Sequence, residues 1–153
     1  MQMETARLCV RPFRTEDVEA LHALLSDPQV MRSIEAPYSL EQTRAFLQSA
    51  GLCQPPLVWA LIDKQTGALA GQLIFHPYDS ARYELGWILS KALWGTGAAS
   101  ELTEAAIAYA RSAGIPALIL ECAREQQVTR HIAEKFGFRL LEDGALCVFE
   151  KRI

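Results

Sequence analysis

Apolar and polar residues alternate in "RLCVRPF", Arg7 to Phe13, which predicts a half-buried first strand ended by Pro12. The period then changes. In "RTEDVEALHALLSD" the residues Val18, Leu21, Leu24 and Leu25 recur on one helical face, with Thr15 as the expected N-cap and Asp17 near the positive end of the dipole. "SLEQTRAFLQSAG" repeats the pattern: Ser39 caps, Gln42 completes a capping box, Phe46 and Leu47 point inward, and Gly51 stops the helix. From Leu57 to Ser90 the chain reads as three strands joined by short turns at "KQTG" and "PYDS", hence antiparallel hairpins. Beyond Trp94 it reads as a helix over about 98–113 closed by "GIP", strand "PALILEC", a helix over about 126–136, strand "GFRLLE", a turn at "DGA" and strand "LCVFEKR". With no repeat, linker or low-complexity segment, residues 1–153 are expected to form a single α/β domain. Its mixed sheet should have antiparallel strands first and strand–helix–strand units after.

Composition narrows the function classes. Half the 153 residues are hydrophobic, 22% are charged and the mean hydropathy is +0.07, which suits a globular chain. The net charge of −3 comes with no basic stripe, so a nucleic-acid partner is not expected. Arg7, Arg11 and Arg14 read as solvated surface. Cys9, Cys53, Cys122 and Cys147 include no CxxC pair and read as reduced thiols; no metal site is expected. No apolar run approaches ~20 residues and the N-terminus has no signal-peptide h-region, so a cytoplasmic protein without a membrane partner is expected.

The chemically informative stretch is "WGTGAAS", Trp94 to Ser100, at the mouth of the longest helix. A helix begins with N–H groups that lack partners in the helix, and with its dipole they form an anion site. Phosphates approach that backbone only where side chains are small. Gly95, Gly97, Ala98 and Ala99 meet that need, and Thr96 and Ser100 add hydroxyls. A P-loop is excluded because no Lys-Ser or Lys-Thr follows the glycines. A dinucleotide fingerprint fits poorly: Ser100 stands at the third glycine, and hairpins precede the motif where a doubly wound sheet would begin.

"YELGWILSKALWGTGAASELTEAAIAYA" resembles the acyl-CoA-binding core of the GNAT N-acetyltransferase superfamily, in which a Glu-Ile/Leu-Gly-Tyr/Trp strand leads into a Gln/Arg-x-x-Gly-x-Gly/Ala loop. Trp94-x-x-Gly97-x-Ala99 occupies that loop, and Trp at its head is typical of the branch that acetylates ribosomal-protein N-termini. "TARLCVRPFRTEDVEAL", "DKQTGALAGQLIFH" and "HIAEKFGFRLLEDG" resemble three further blocks of that branch, in the same order. The resemblance implies a GNAT fold: a mixed sheet flanked by helices, with central strands splayed around acyl-CoA. It also implies acetyl-CoA as co-substrate and an amine as acceptor. The thioester and pantetheine would pair with the backbone of Trp87, Ile88 and Leu89. The pyrophosphate would sit on Gly95 to Ala99, with Trp94 and Ser100 flanking it.

Attack by an amine needs a base, and the leaving thiolate needs a proton. Glu84 is the base candidate, with Arg82 as a competing ion-pair partner and His76 as a second base. The Tyr that many family members use as acid is replaced by Ala133. The branch's Asn and Ser correspond to Gln126, the expected CoA contact, and Thr129, the candidate proton donor. A cysteine route through Cys122 and His131 is conceivable but nothing in the sequence marks the thiol as activated. The acceptor is expected against the N-terminal helices and the segment Ser33 to Ser39, where Glu35 can attract an ammonium group. Two other classes stay open: a catalytically inactive acyl-CoA sensor of the same fold, and a nucleotide-phosphate-binding module. Sheet edges leave room for a homodimer.

Overall fold

The computed structural model describes residues 1–153. Seven strands form one sheet in the order β1-β2-β3-β4-β5-β7-β6. They are β1 (Leu8–Arg11), β2 (Val58–Asp63), β3 (Leu69–Pro77), β4 (Arg82–Leu89), β5 (Ala117–Ala123), β6 (Arg139–Asp143) and β7 (Leu146–Arg152). Every pairing is antiparallel except β4 with β5. The helices are α1 (Val18–Leu25), α2 (Leu40–Phe46), α3 (Ala98–Ser112) and α4 (Gln127–Lys135).

The two faces of the sheet bury different helices. Leu61, Leu73, Phe75 and Leu85 pack with Leu102, Ala106 and Ala110 of α3 in the larger core. The opposite face presents Val58, Ala60, Ile74 and Ile88 to Leu21, Leu24 and Leu25 of α1 and to Leu47 beyond α2. That division follows from the strict side-chain alternation of β-strands.

Ser39 and Gln42 make the expected capping box, with Gln42 N–H on the Ser39 hydroxyl at 3.1 Å and Ser39 N–H on the Gln42 amide at 2.8 Å. Thr15 does not cap. It opens a 3-10 turn, Thr15–Asp17, and Asp17 does the capping by accepting the Arg14 N–H at 2.8 Å. Arg14 is exposed as expected, but Arg7 and Arg11 are less solvated than their sequence suggests. Arg11 forks onto Asp17 at 2.7 and 2.9 Å, and Arg7 forks onto Glu101 of α3 at 3.1 and 2.9 Å.

Asp17 is only 7% exposed, and burial alone would raise its pKa. The Arg11 fork and the Arg14 N–H outweigh burial and hold the carboxyl below its ordinary value. Its stabilisation is therefore complete at neutral pH and is lost as pH falls through that lowered pKa. Asp17→Asn is expected to cost about 2–3 kcal/mol in urea unfolding at pH 7, by removing charged hydrogen bonds and stranding Arg11. The deficit should shrink in acid; a constant deficit would contradict this reading.

Candidate active site

β4 and β5 stay together only briefly. Their pairs are Arg82 with Ala117, Tyr83 with Leu118 and Glu84 with Ile119. Beyond Glu84, β4 continues against β3 alone and β5 against β7 alone, so the sheet opens into a V. Alternation of the β3–β4 ladder, anchored by Tyr78 N–H on Arg82 O and Ser90 N–H on Ala70 O, turns the backbone groups of Ile88 towards β3. Those of Trp87 and Leu89 face the V. Of the three residues expected to present backbone there, Ile88 is thus already committed within the sheet, and the Leu89 carbonyl accepts the Trp94 indole N–H at 3.1 Å.

The V leads into a cavity of about 480 Å³. Trp87 and Leu89 form one wall, Trp94 to Ser100 (Thr96 excepted) another, and Gln126, Thr129 and Ile132 a third. Gly95 and Gly97 have φ of +71° and +87°, conformations that side chains rarely adopt, and a Cβ on either would meet no protein atom within 4 Å. Ala98 begins α3 directly, so the helix mouth faces this space. Thr96 is turned away: its hydroxyl donates to Leu93 O at 2.6 Å. Lys135, which sequence reading did not single out, brings its Nζ to 3.4 Å from Ser100 Oγ and adds positive charge beside the loop. Backbone donors, a helix dipole and a nearby cation can receive a diphosphate.

A second cavity, about 330 Å³, fills the V between Trp87 and Gly86 of β4 and Leu120 and Cys122 of β5, with Glu84 and Thr129 on its walls. The site residues therefore converge, although Glu84 and Thr129 lie on separate elements. Thr129 sits in the first turn of α4 and makes no side-chain hydrogen bond that would mark it as a cap. Gln126 is less free. Its Oε1 accepts the Ala123 N–H at 2.7 Å, so only its amide NH₂ is left to face the cavity.

Glu84 does not pair with Arg82. That guanidinium is held by Asp79 at 2.6 Å and by Glu150 of β7 at 3.0 Å. Glu84 instead lies 3.1 Å from Nε2 of His76, its register partner on β3, while Nδ1 of His76 is 2.8 Å from the Pro77 carbonyl. Both ring nitrogens face acceptors, so the imidazolium is favoured. Glu84 raises the His76 pKa above the ordinary 6.5 against the opposing effect of burial. No sequence signal tied these residues together, because their pairing depends on the register that the β3–β4 hairpin adopts.

The cysteine route is disfavoured. Burial, reinforced by neighbouring Cys147, pushes the Cys122 thiol up to about 11, which leaves little thiolate at neutral pH. His131 is exposed on α4.

A third cavity, about 260 Å³, adjoins Glu84 and His76 under the segment that carries Ile34, Glu35 and Tyr38. Glu35 is partly engaged, since the Tyr38 hydroxyl donates to it at 2.7 Å.

This splayed sheet with a glycine-opened helix at its mouth agrees with the comparisons. The model of the acetyltransferase (GNAT) domain matches residues 7–139, and the chain belongs to the GNAT acetyltransferase family. Among its relatives, the uncharacterized N-acetyltransferase YnaD of Bacillus subtilis (strain 168) is 27% identical over 142 residues, covering 91% of this chain and 83% of that one. A GNAT-family acetyltransferase from Bacillus anthracis superposes with a TM-score of 0.87 at 25% identity, over 99% of this chain and 98% of the other. RimL, a ribosomal-protein alpha-N-acetyltransferase solved in complex with coenzyme A, shares the fold with a TM-score of 0.82 at 21% identity, over 100% and 98% of the two chains. No helix is long and apolar enough to cross a membrane.

Proposed function

We propose that residues 1–153 act as one domain that transfers the acetyl group of acetyl-CoA to a primary amine by direct attack. The observation that carries this reading is the parting of β4 and β5 after Glu84, with the Gly97 helix mouth at the end of the gap. When bound, acetyl-CoA supplies the activated acyl group. The N–H groups of Gly95 to Ala99, with Ser100 and Lys135 beside them, hold its pyrophosphate. Trp87 and Leu89 align the arm along their open backbone edge, and the Gln126 amide donates from the α4 side.

The acceptor enters from the cavity beneath Glu35 and Tyr38. Glu84, coupled to His76, takes the ammonium proton. The free amine then attacks the thioester carbonyl, the carbon–sulfur bond breaks, and the proton shed by the attacking nitrogen passes through the Thr129 hydroxyl to the leaving thiolate. Glu84 and Glu35 favour a cationic acceptor.

Thermal unfolding with acetyl-CoA, ATP and NAD tests the co-substrate. At 100 times its Kd, acetyl-CoA should stabilise the protein by about 2.7 kcal/mol, and the other two should not. Stabilisation by ATP or NAD alone would support a nucleotide module instead. Binding of acetyl-CoA with no amine-dependent thiol release would leave a sensor.

A further inference from the structure

The cavity that adjoins Glu84 and His76 is largely apolar where a ligand can touch it. Ile34, Tyr38, Phe46, Leu57 and Ile74 line it, and each keeps exposed surface. Phe46 meets the Tyr38 ring edge-on, with centroids 5.9 Å apart. Gln72 lies behind this wall and offers the cavity nothing: the residue is 3% exposed, and its Oε1 is buried without a hydrogen-bond partner.

The charges on the lining do not balance. Glu35 and Glu84 are its acids, and no Lys or Arg is among its residues. His76 is the one group there that can carry positive charge, and it is already engaged: Nε2 faces Glu84 at 3.1 Å and Nδ1 faces the Pro77 carbonyl at 2.8 Å. The imidazolium and Glu84 cancel, which leaves Glu35 uncompensated. The Tyr38 hydroxyl donates to one Glu35 oxygen at 2.7 Å. Burial and that carboxylate push the phenol up to about 12, so Tyr38 adds no charge of its own. An ammonium group is favoured in such a space. A carboxylate would be desolvated beside like charge, with no cation to pair it.

We propose that the acceptor is a small primary amine on an apolar body, with no carboxylate; free amino acids and amines on polar bodies are excluded. This rests on the acetyltransferase reading of the site and names its substrate class. The size follows from the cavity, about 260 Å³, which falls below the range of about 300–1,000 Å³ that takes drug-sized ligands. A peptide would bring amide groups that this lining has few polar partners to satisfy.

Acetyl-CoA-dependent thiol release tests the proposal with phenethylamine, phenylalanine, ethanolamine and a short peptide that begins with phenylalanine. Phenylalanine keeps the body of phenethylamine and adds the carboxylate; ethanolamine keeps the amine and loses the body. In kcat/KM the wild type should favour phenethylamine over phenylalanine by about 100-fold or more, and over ethanolamine by about tenfold or more. Glu35→Gln should narrow the first ratio several-fold, and Leu57→Ser the second. Both residues are exposed, and thermal melts report folding. Comparable use of phenylalanine or ethanolamine by the wild type, preference for the peptide, or an unchanged ratio in either folded variant would each overturn the proposal. So would acetyl-CoA binding without release from any of the four amines. Failure to bind acetyl-CoA at all would instead remove the acetyltransferase reading beneath it.

Discussion

Gly97→Val is expected to weaken acetyl-CoA binding severely while leaving the protein folded. The residue sits at φ +87°, where a β-branched side chain is strained, so a stability cost of about 1–2 kcal/mol or somewhat more follows from the backbone alone. Nothing in the protein obstructs the new side chain. The valine therefore projects into the space in front of α3, where the free helix N–H groups point, and keeps phosphates from reaching them. Titration calorimetry should show Kd for acetyl-CoA weakened by about 100-fold or more, some 2.7 kcal/mol. Gly97→Ala should fall between this variant and the wild type. A folded Gly97→Val protein that binds as the wild type does would show that the helix mouth holds no phosphate.

Glu84→Gln should leave acetyl-CoA affinity intact and lower kcat by about 10²–10⁴-fold, the usual contribution of a general base. The same substitution should lower the His76 pKa, measured on its imidazole resonances, because Glu84 is the main cause of its elevation. The two signs of the pH dependence then separate. The imidazolium–carboxylate pair stabilises the fold fully below pH 6.5, and that contribution is lost as pH rises through the raised His76 pKa. Activity should run the other way, since the pair accepts a proton more readily after His76 has lost its own. The acidic limb of kcat/KM should therefore lie above 6.5 in the wild type and disappear in His76→Gln. Full activity in Glu84→Gln would move the base elsewhere.

Much of this architecture is legible along the chain. The three middle strands, the capping box at Ser39 and Gln42, and the Gly114 stop after α3 follow from local period, caps and turn residues. So does the choice of glycine at 95 and 97, since positive φ is a property of the residue's own backbone. The start of α1 was not legible. Ser, Thr and Asp are all acceptable caps, and the choice of Asp17 over Thr15 depends on Arg11, which approaches from β1.

The candidate site divides in the same way. Its parts were recognisable singly: Glu84 on a strand, a glycine-rich helix mouth, Thr129 at the start of a later helix. Their convergence required the parallel pairing of β4 and β5 to end at Glu84, which no local pattern encodes. The same holds for the partner of Glu84. Arg82 is the nearer cation in sequence, but Asp79 and Glu150 take it, and strand register delivers His76 instead. Gln72 carried no signal at all, because a polar residue in a strand is noticed only when its surroundings prove apolar. Sequence by itself determined the elements, the cap of α2 and the conformations of the loop, all set by interactions within a few residues. Tertiary structure alone decided which charges pair, which backbone edge stays open and which buried carbonyl is left without a partner, because each depends on groups brought together from distant strands.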